Sequence, residues 1–295
     1  MILVADSGST KTDWALCSNT VSREKFKPDV LRIQTQGINP FHQSRDVIMG
    51  IIREELLLKC FEKFQLNRIS ETISEVAFYG AGCNTTTIPL MRYCLQEVFP
   101  QAVIEVAGDM LGAARALYGK SGGVACILGT GSNSCFYDGR KIVRNVPPLG
   151  YILGDEGSGA ALGKLFLNGI FKGDISGRIR DKYLEQAGLT YTDVIERVYR
   201  KPLANRFLAN TSKFILENIQ EDDLKRLVKF NFYQFFSKNI RHYDDLGNNK
   251  ISAIGSVSYY FKDFFQEIAD DFGYEVVKIE RSPLMGMLNY QLLSF

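Results

Sequence analysis

Two segments of the chain share one pattern, an apolar run that leads directly into a turn of glycine, serine and threonine. Residues 2–10 read ILVADSGST and residues 124–132 read VACILGTGS, so Gly8 and Gly131 occupy matching places at an offset of 123 residues. Repetition of a segment within one chain indicates a repeated structural unit. The chain is therefore restricted to folds that contain two equivalent halves.

The order of predicted elements after the two turns is also the same. Each turn leads into a second and a third strand-like run, and Asp138-Gly139 favours a hairpin between two of these runs in the second half. Apolar patterning then predicts helix, strand, helix, strand and helix in each half. We therefore predict an α/β fold of two duplicated domains, βββαβαβα each. The domains are expected to face each other across a cleft, because small ligands usually bind at domain junctions.

One long stretch of the second half has no counterpart in the first. Residues 174–247 are rich in lysine, arginine and aromatic side chains. We interpret this stretch as a helical insertion whose charges form solvated faces rather than a binding patch.

The composition of the chain excludes several classes of function. Its 35 basic and 33 acidic residues give a formal net charge of +2, which does not indicate a surface for nucleic acid. No apolar run approaches the ~20 residues that cross a bilayer, and the first residues lack the pattern of a signal peptide. We therefore expect a cytoplasmic protein with no nucleic-acid or membrane partner. The six cysteines include no CxxC pair, which disfavours a zinc or iron–sulfur site.

The two repeated turns carry chemistry that suits phosphate. Glycine, serine and threonine in a tight turn allow backbone N–H groups and hydroxyls to approach an anion closely. Asp6 precedes the first turn and is a candidate to hold Mg²⁺ through water. Each turn alone is also compatible with an ordinary polar hairpin, whereas the pair would grip the two ends of one polyphosphate. The candidate phosphate-binding residues are Ser7, Gly8, Ser9, Thr10, Lys11, Gly129, Thr130 and Gly131.

A carboxylate stands at the end of a predicted strand in the first half. Asp109 follows the strand-like run at residues 103–106 and opens a predicted helix. The carboxyl ends of parallel strands are where open α/β sheets bind their ligands. A helix N-cap is an alternative role, because aspartate is favoured at that position.

Four segments of the chain resemble the motifs of one family. Residues 6–14, DSGSTKTDW, resemble the first phosphate loop (D-G-G-x-T-K-T) of N-acetylglucosamine kinases and their related ATPases, which include the activator ATPases of benzoyl-CoA reductase and hydroxyacyl-CoA dehydratase. Residues 128–134, LGTGSNS, resemble the second phosphate loop. Residues 149–158, LGYILGDEGS, resemble the segment G-W-G-x-x-L-G-D-E-G-S, and residues 254–257, IGSV, are similar to the adenosine loop.

The resemblance spans nearly the whole chain and implies a fold and an activity. The fold is the ribonuclease H-like, actin-like ATPase domain of the sugar kinase/Hsp70/actin superfamily. The activity is transfer of the γ-phosphate of ATP to the 6-hydroxyl of N-acetylglucosamine or a closely related amino sugar, with Mg²⁺. The chain departs from the family pattern at Ser7, where glycine is common, and at Leu149, where tryptophan is usual.

The resemblance also implies roles for individual residues. Asp109 matches the catalytic base, which accepts the proton of the sugar hydroxyl. Asn39 matches a G-x-N segment that contacts the sugar, although Asn-Pro is also a common loop signal. A helix N-cap is the alternative role of Asp155. The expected sugar-binding residues are Asn39, Asn133, Gly154, Asp155 and Glu156, and the expected adenosine-binding residues are Gly255 and Ser256.

The superfamily implies the limits of the two domains. Its last helix returns to the first domain, which is therefore expected to comprise residues 1–108 and 283–295. The second domain is expected to comprise residues 109–282, with the insertion at about 174–247. Because many relatives dimerise, we expect a homodimer.

Three other functions are compatible with the same fold. A kinase for glucosamine, N-acetylmannosamine or glucose is the strongest of them, since one fold hosts many substrates. The second is an activator ATPase that drives an electron-transfer partner through a cysteine-bound iron–sulfur cluster. The third is a sensor that binds a sugar or nucleotide without catalysis.

Overall fold

The computed structural model describes residues 1–8, 10–17, 30–64 and 69–293. The chain divides into two compact units. The first unit consists of Met1–Gly119 and Pro283–Phe295, and the second consists of Lys120–Ser282. The boundary therefore follows Gly119, whereas the sequence prediction placed it after Gly108.

The first unit contains a five-stranded sheet in the order β3-β2-β1-β4-β5. Strands β1, β4 and β5 run parallel, and β2 is antiparallel to both β1 and β3. The register places Ser7, Gly80 and Gly108 side by side at the carboxyl ends of the three parallel strands. The strands are β1 (Ile2–Ser7), β2 (Lys11–Cys17), β3 (Val30–Gln36), β4 (Glu75–Gly80) and β5 (Val103–Gly108).

Both faces of β1 are buried, which explains its continuous apolar run. Leu3 and Ala5 pack in a core cluster with residues of the helices between β3 and β5. Ile2 and Val4 point to the other face and pack with the C-terminal helix (Leu284–Leu292). The helices of this part are α1 (Arg45–Gly50), a π-helix (Ile51–Leu57), α2 (Leu58–Phe64), α3 (Ile69–Thr72), α4 (Ile88–Val98) and α5 (Asp109–Tyr118).

The unit boundary shifts because α5 packs directly against the C-terminal helix. Gly112 of α5 lies so close to Tyr79 and Met287 that a Cβ atom would collide with both side chains. Gly286 of the C-terminal helix lies equally close to the Ala116 backbone. Two glycines therefore allow the helices to approach at backbone distance, and α5 belongs to the first unit.

The second unit repeats the architecture of the first. Its sheet has the order β10-β9-β6-β7-β8, which matches the first sheet strand for strand along the chain. Strands β6, β9 and β10 are parallel, and β7 is antiparallel to β6 and β8. The predicted duplication is confirmed. The strands are β6 (Gly123–Leu128), β7 (Ser132–Tyr137), β8 (Ile142–Val146), β9 (Lys250–Ile254) and β10 (Glu275–Glu280).

Helices fill the region between β8 and β9, where the insertion was predicted. Their core is aromatic, and Phe232, Phe235 and Phe236 of one helix are fully buried. No helix in the described ranges has the length and apolar character needed to span a membrane. The helices of the second unit are α6 (Gly150–Leu153), α7 (Gly159–Lys172), α8 (Gly177–Ala187), α9 (Tyr191–Tyr199), α10 (Ala204–Glu217), α11 (Asp222–Lys238), a 3-10 helix (Ile240–Leu246), α12 (Ser256–Tyr260) and α13 (Lys262–Asp271).

Candidate functional site

Three carboxylates of the first unit, those of Asp6, Asp13 and Asp109, interact near the carboxyl ends of its parallel strands. Asp6 is paired with Asp13 across β1 and β2, and Lys11 Nζ forms an ion pair with Asp13 Oδ2 at 2.6 Å. Burial, together with the charges of Asp13 and Asp109, raises the pKa of Asp6 to about 7, while Lys11 opposes the rise. Three carboxylates therefore share one field of negative charge.

This charge distribution fits a divalent cation. A positive ion near Asp6 would offset the repulsion that raises the pKa of its carboxyl. In the described ranges, no three histidine, cysteine, aspartate or glutamate side chains are grouped as direct ligands of a metal. Mg²⁺ keeps much of its hydration shell in proteins, so one carboxylate acting through water meets its preference.

Asp109 is the first residue of α5, and its N-cap position is occupied by Gly108. The alternative role of Asp109 as the N-cap is therefore wrong by one position. Its Oδ1 accepts a hydrogen bond from the Met110 N–H at 2.8 Å. Burial raises the pKa of the Asp109 carboxyl, and bonds from the backbone N–H groups of Met110 and Asp109 limit that rise. A half-buried carboxylate at a strand end can accept a proton from a substrate hydroxyl.

The first predicted phosphate loop uses part of its polar chemistry internally. The Ser7 hydroxyl is buried, donates to the Ile38 carbonyl at 2.8 Å and lies 2.6 Å from the Thr12 hydroxyl. The Gly8 N–H donates to the Lys11 carbonyl at 3.0 Å. Thr10 and Lys11 are exposed, and Ser9 lies outside the described residues. The Ser7 hydroxyl is thus a structural group that ties the loop to the residues after β3.

Asn39 lies in a tight loop of the first unit, after β3. Its Oδ1 accepts from the Phe41 N–H at 3.0 Å, and its own N–H donates to Gln43 Oε1 at 2.8 Å. Asn39 is buried against Gly82, which has φ +79° and no room for a Cβ atom. The loop after β4 therefore requires glycine for two reasons, the backbone angle and the contact with Asn39.

The same loop after β4 also approaches Asp109. A Cβ atom on Gly108 would lie 3.3 Å from the Cys83 carbonyl oxygen. Burial raises the pKa of the Cys83 thiol to about 12, and the charge of Asp109 contributes. No role was predicted for Gly82 and Cys83 from the sequence, although a glycine shortly after a predicted strand and before a polar turn was a usable signal. They connect Asn39 to Asp109 in the first unit.

The second phosphate loop is held by helix α7. The carbonyls of Gly129 and Thr130 accept hydrogen bonds from the N–H groups of Gly159 and Ala160 at 2.8 and 3.0 Å. The Gly129 N–H donates to the Gly131 carbonyl at 3.0 Å. The first amides of α7 are therefore used to shape the loop. Thr130 remains exposed at its tip.

Asp155 lies against this loop in a strained conformation. Its φ is +55°, and its N–H donates to the Pro148 carbonyl at 2.9 Å. Burial raises the pKa of the Asp155 carboxyl, and a hydrogen bond from the Ser132 backbone partly offsets it. A Cβ atom on Gly131 would lie 2.9 Å from Asp155 Oδ2, so a larger residue there would displace this carboxylate. The second phosphate loop and the Asp155 carboxylate are therefore in direct contact, which the sequence did not reveal.

The remaining predicted sugar-binding residues of the second unit have protein partners. The N-cap of α7 is Ser158, whose Oγ accepts from the Ala161 N–H, so the alternative N-cap role of Asp155 is wrong. Glu156 pairs with Lys238 at 3.1 Å. Asn133 Oδ1 accepts from Asn145 Nδ2 at 2.9 Å. Gly154 is buried where a Cβ atom would collide with the Pro148 carbonyl.

The predicted adenosine loop begins where β9 ends. Gly255 has φ +129°, and a Cβ atom there would collide with the Leu128 carbonyl at the end of β6. Its N–H donates to the Glu280 carbonyl at 3.0 Å. Ser256 opens α12 and is exposed. Gly255 therefore joins the carboxyl ends of β6, β9 and β10, as the loop after β4 joins those of the first unit.

Comparison with solved structures decides the family. A candidate N-acetylglucosamine kinase from Porphyromonas gingivalis superposes with a TM-score of 0.91, is 43% identical, and is matched over 99% of both chains. The chain belongs to the N-acetylglucosamine kinase family. Members of this family are sugar phosphotransferases, and the predicted ATP-dependent sugar kinase activity is confirmed at that level.

More distant structures share the fold of this family. A second candidate N-acetylglucosamine kinase, from Chromobacterium violaceum, has a TM-score of 0.69 at 18% identity over 98% of both chains. A hexokinase of the ROK group from Thermus thermophilus has a TM-score of 0.53 at 13% identity, covering 99% of this chain and 98% of its own. No protein-family model matches the chain, and no curated protein matches it. The predicted actin-like ATPase fold is confirmed.

Proposed function

We propose that this family member transfers the γ-phosphoryl group of ATP to the 6-hydroxyl of N-acetylglucosamine or a closely related amino sugar. The observation that carries the proposal is the half-buried Asp109 carboxylate at the end of β5, in a chain 43% identical over nearly its full length to a candidate N-acetylglucosamine kinase. Phosphoryl transfer needs little covalent chemistry from the protein, so a positioned base and charge stabilisation suffice.

Asp109 is the catalytic base in this proposal. The bond between the sugar oxygen and the γ-phosphorus forms while the bond to the β-phosphate oxygen breaks, and the hydroxyl proton passes to the Asp109 carboxylate. Burial raises the pKa of Asp109, which makes the carboxylate a better proton acceptor near neutral pH. The bond from the Met110 N–H to Oδ1 holds the carboxylate while it accepts the proton.

ATP and Mg²⁺ are the proposed cofactors. Asp6 would hold Mg²⁺ through water, and the bound ion supplies positive charge that neutralises the phosphates. Exposed Thr10 and Thr130 and the neighbouring amides are assigned to the phosphates, and the Gly255-Ser256 turn is assigned to the adenosine. The Lys11–Asp13 ion pair leaves the ammonium exposed beside the first loop.

Sugar recognition is assigned to residues of both units. Asp155 would accept hydrogen bonds from sugar hydroxyls, because its carboxylate is held rigidly by the second loop. Asn39 would contact the sugar from the first unit, with Asn133, Gly154 and Glu156 contributing from the second. Among these residues, Glu156 has the clearest structural role, because its carboxylate already forms an ion pair with Lys238.

Location and assembly complete the proposal. We place the enzyme in the cytoplasm, in amino sugar metabolism, as a homodimer with no nucleic-acid or membrane partner. Sedimentation of the purified chain tests the dimer directly.

A panel assay for ADP release tests the substrate. The chain would be supplied with MgATP and, in turn, N-acetylglucosamine, N-acetylmannosamine, glucosamine and glucose. We expect the highest kcat/KM with N-acetylglucosamine and a 6-phosphate product by ³¹P NMR. A preference for another sugar would overturn the proposed substrate. ATP binding without turnover of any sugar would favour the activator or sensor functions.

Substitution of Asp109 tests the base. We expect Asp109→Asn to reduce sugar phosphorylation by about 10²- to 10⁴-fold, because only the proton acceptor is lost. ATP binding, measured by calorimetry, should persist. Asp46→Asn removes an exposed carboxylate of the same unit and should keep wild-type turnover. Near-normal turnover of Asp109→Asn would contradict the assignment.

A further inference from the structure

A hydrogen-bonded network lies beneath α5, on the face of the first sheet that the C-terminal helix covers. Arg115 Nη1 donates to the Tyr79 hydroxyl at 2.8 Å and forms an ion pair with Glu105. Gln291 Nε2 donates to the same Tyr79 hydroxyl at 2.6 Å and to Glu105 Oε2 at 2.8 Å. The Arg115 guanidinium also lies 4.8 Å from the centre of the Tyr290 ring.

The network joins four elements through two acceptors. Tyr79 is in β4 and Glu105 is in β5, and each receives one bond from α5 and one from the C-terminal helix. Gln291 is 7% exposed and Tyr79 is fully buried. Polar groups at such depth are costly unless their bonds are satisfied, so the Tyr79 hydroxyl and the Gln291 amide have few alternative partners. Arg115 Nε is buried without a hydrogen-bond partner among the described residues, so the guanidinium is held through Nη1.

The network is not needed to hold α5 on the sheet. The contacts of Gly112 and Gly286 already pack α5 closely against the C-terminal helix and Tyr79. The Arg115–Glu105 ion pair is partly open to solvent, with the Glu105 side chain 39% exposed, and such pairs add little net stability. Directional bonds do restrict rotation and sliding of a helix, which packing of small residues permits.

Rotation or sliding of α5 would move Asp109. Asp109 and Arg115 belong to the same ten-residue helix, and six positions separate them. At 1.5 Å per residue, a tilt of about 5° at Arg115 displaces Asp109 by ~1 Å. Errors of this size in the position of a reacting group can reduce a rate by about 10²-fold.

We propose that Arg115 and Gln291 are positioning residues, which fix the orientation of α5 so that Asp109 meets the attacking hydroxyl. The inference rests on the proposed role of Asp109 as the base. It makes the C-terminal helix part of the catalytic apparatus, although none of its residues is assigned to substrate. Gln291 acts through Arg115, Tyr79 and Glu105, without touching the reacting atoms.

Kinetics of Gln291→Leu provide the first test. We expect kcat to fall about tenfold or more while the KM values for sugar and ATP change less than about twofold, since only the base is displaced. Asn289→Leu changes an exposed amide of the same helix and should leave both parameters unchanged. A parallel loss of kcat and gain in KM, or an unchanged kcat, would overturn the inference.

Tyr79→Phe serves where Gln291→Leu does not fold. It removes only the hydroxyl that accepts from Arg115 and Gln291 and keeps the ring. We expect a smaller loss of kcat, about threefold or more, again with nearly constant KM. Unchanged kcat in this variant would contradict the proposal.

Hydrogen exchange separates this inference from the proposed function. The amides of α5 should exchange several-fold faster in Gln291→Leu than in the wild type and in Asn289→Leu, whether or not any sugar is a substrate. Unchanged exchange would overturn the inference. Failure of the wild type to phosphorylate every sugar in the panel would instead overturn the proposed function.

Discussion

At the scale of single residues, the surroundings of Asp6 strongly alter its carboxyl group. Burial and two neighbouring carboxylates raise the pKa of Asp6 from 3.8 to about 7. Between these values the folded protein holds a proton that the unfolded chain has released. The stability contributed by the protonated form is therefore fully present below about pH 4 and falls as the pH rises towards 7.

Substitution of Asp6 by asparagine should remove this pH dependence, because an amide does not titrate. We expect Asp6→Asn to be more stable than the wild type at pH 8, with the difference in the free energy of unfolding about 2 to 3 kcal/mol smaller at pH 5. Denaturant unfolding at several pH values, without Mg²⁺, measures it. Asp271→Asn, at an exposed position, should show no such trend. A difference that is constant with pH would contradict the raised pKa.

A second prediction for a single residue concerns Asp155, whose charge can be removed without altering its backbone. Asparagine tolerates the positive φ of this position, so Asp155→Asn should fold normally. We expect the KM for the sugar to rise about tenfold or more while ATP binding is retained, because a charged hydrogen-bond acceptor is lost. Steady-state kinetics beside the exposed control Asp174→Asn check this, and an unchanged sugar KM would refute the role.

Individual site residues were only partly predictable from the sequence. Asp109 follows an apolar run and precedes a helix, so its place at a strand end was readable. The direction of Ser7 was not, because β1 is buried on both faces and its pattern lacks alternation. The contacts of Gly82 with Asn39 and of Gly131 with Asp155 join separate segments, which local patterns do not encode.

At the scale of elements, the close approach of α5 and the C-terminal helix decides how the first unit is built. The compact units divide after Gly119 rather than after the predicted Gly108, because the end of a strand is visible in the sequence, whereas the partner of the next helix is not. The close contacts of Gly112 and Gly286 identify the two helices as partners only once both helices are placed in the structure. The duplicated order of strands, by contrast, was predictable because each half repeats its own local signals.

A methyl group at Gly286 tests this approach. We expect Gly286→Ala to lower the free energy of unfolding by about 1 to 3 kcal/mol, since its Cβ atom would lie 2.6 Å from the Ala116 carbonyl oxygen. Thermal and denaturant unfolding measure the loss. Gly50→Ala, where nothing lies within 4 Å of the added atom, should be neutral or slightly stabilising. Equal stabilities of the two variants would show that the helices do not touch there.

At the scale of the whole molecule, the first unit is assembled from two distant parts of the chain. A chain that ends at Ser282 lacks the C-terminal helix, and one apolar face of the first sheet should therefore be exposed. We expect this truncated chain to bind a hydrophobic dye and to aggregate. A chain that ends at Leu293 keeps the whole helix and should remain monodisperse. A monodisperse truncated chain with cooperative unfolding would contradict this. The face consists of Ile2, Val4, Ala15, Cys17, Ala77, Tyr79 and Ala107.

The discontinuous first unit also sets an order of events during translation. Residues 120–282 form a continuous unit, so the ribosome synthesises all of its residues in one uninterrupted stretch. The residues before them leave the exit tunnel earlier, but their sheet is completed only after the helix Leu284–Leu292 has also been synthesised. The second unit can therefore be completed first, and one apolar face of the first sheet lacks its cover until the C-terminal helix follows, which is a state that favours aggregation.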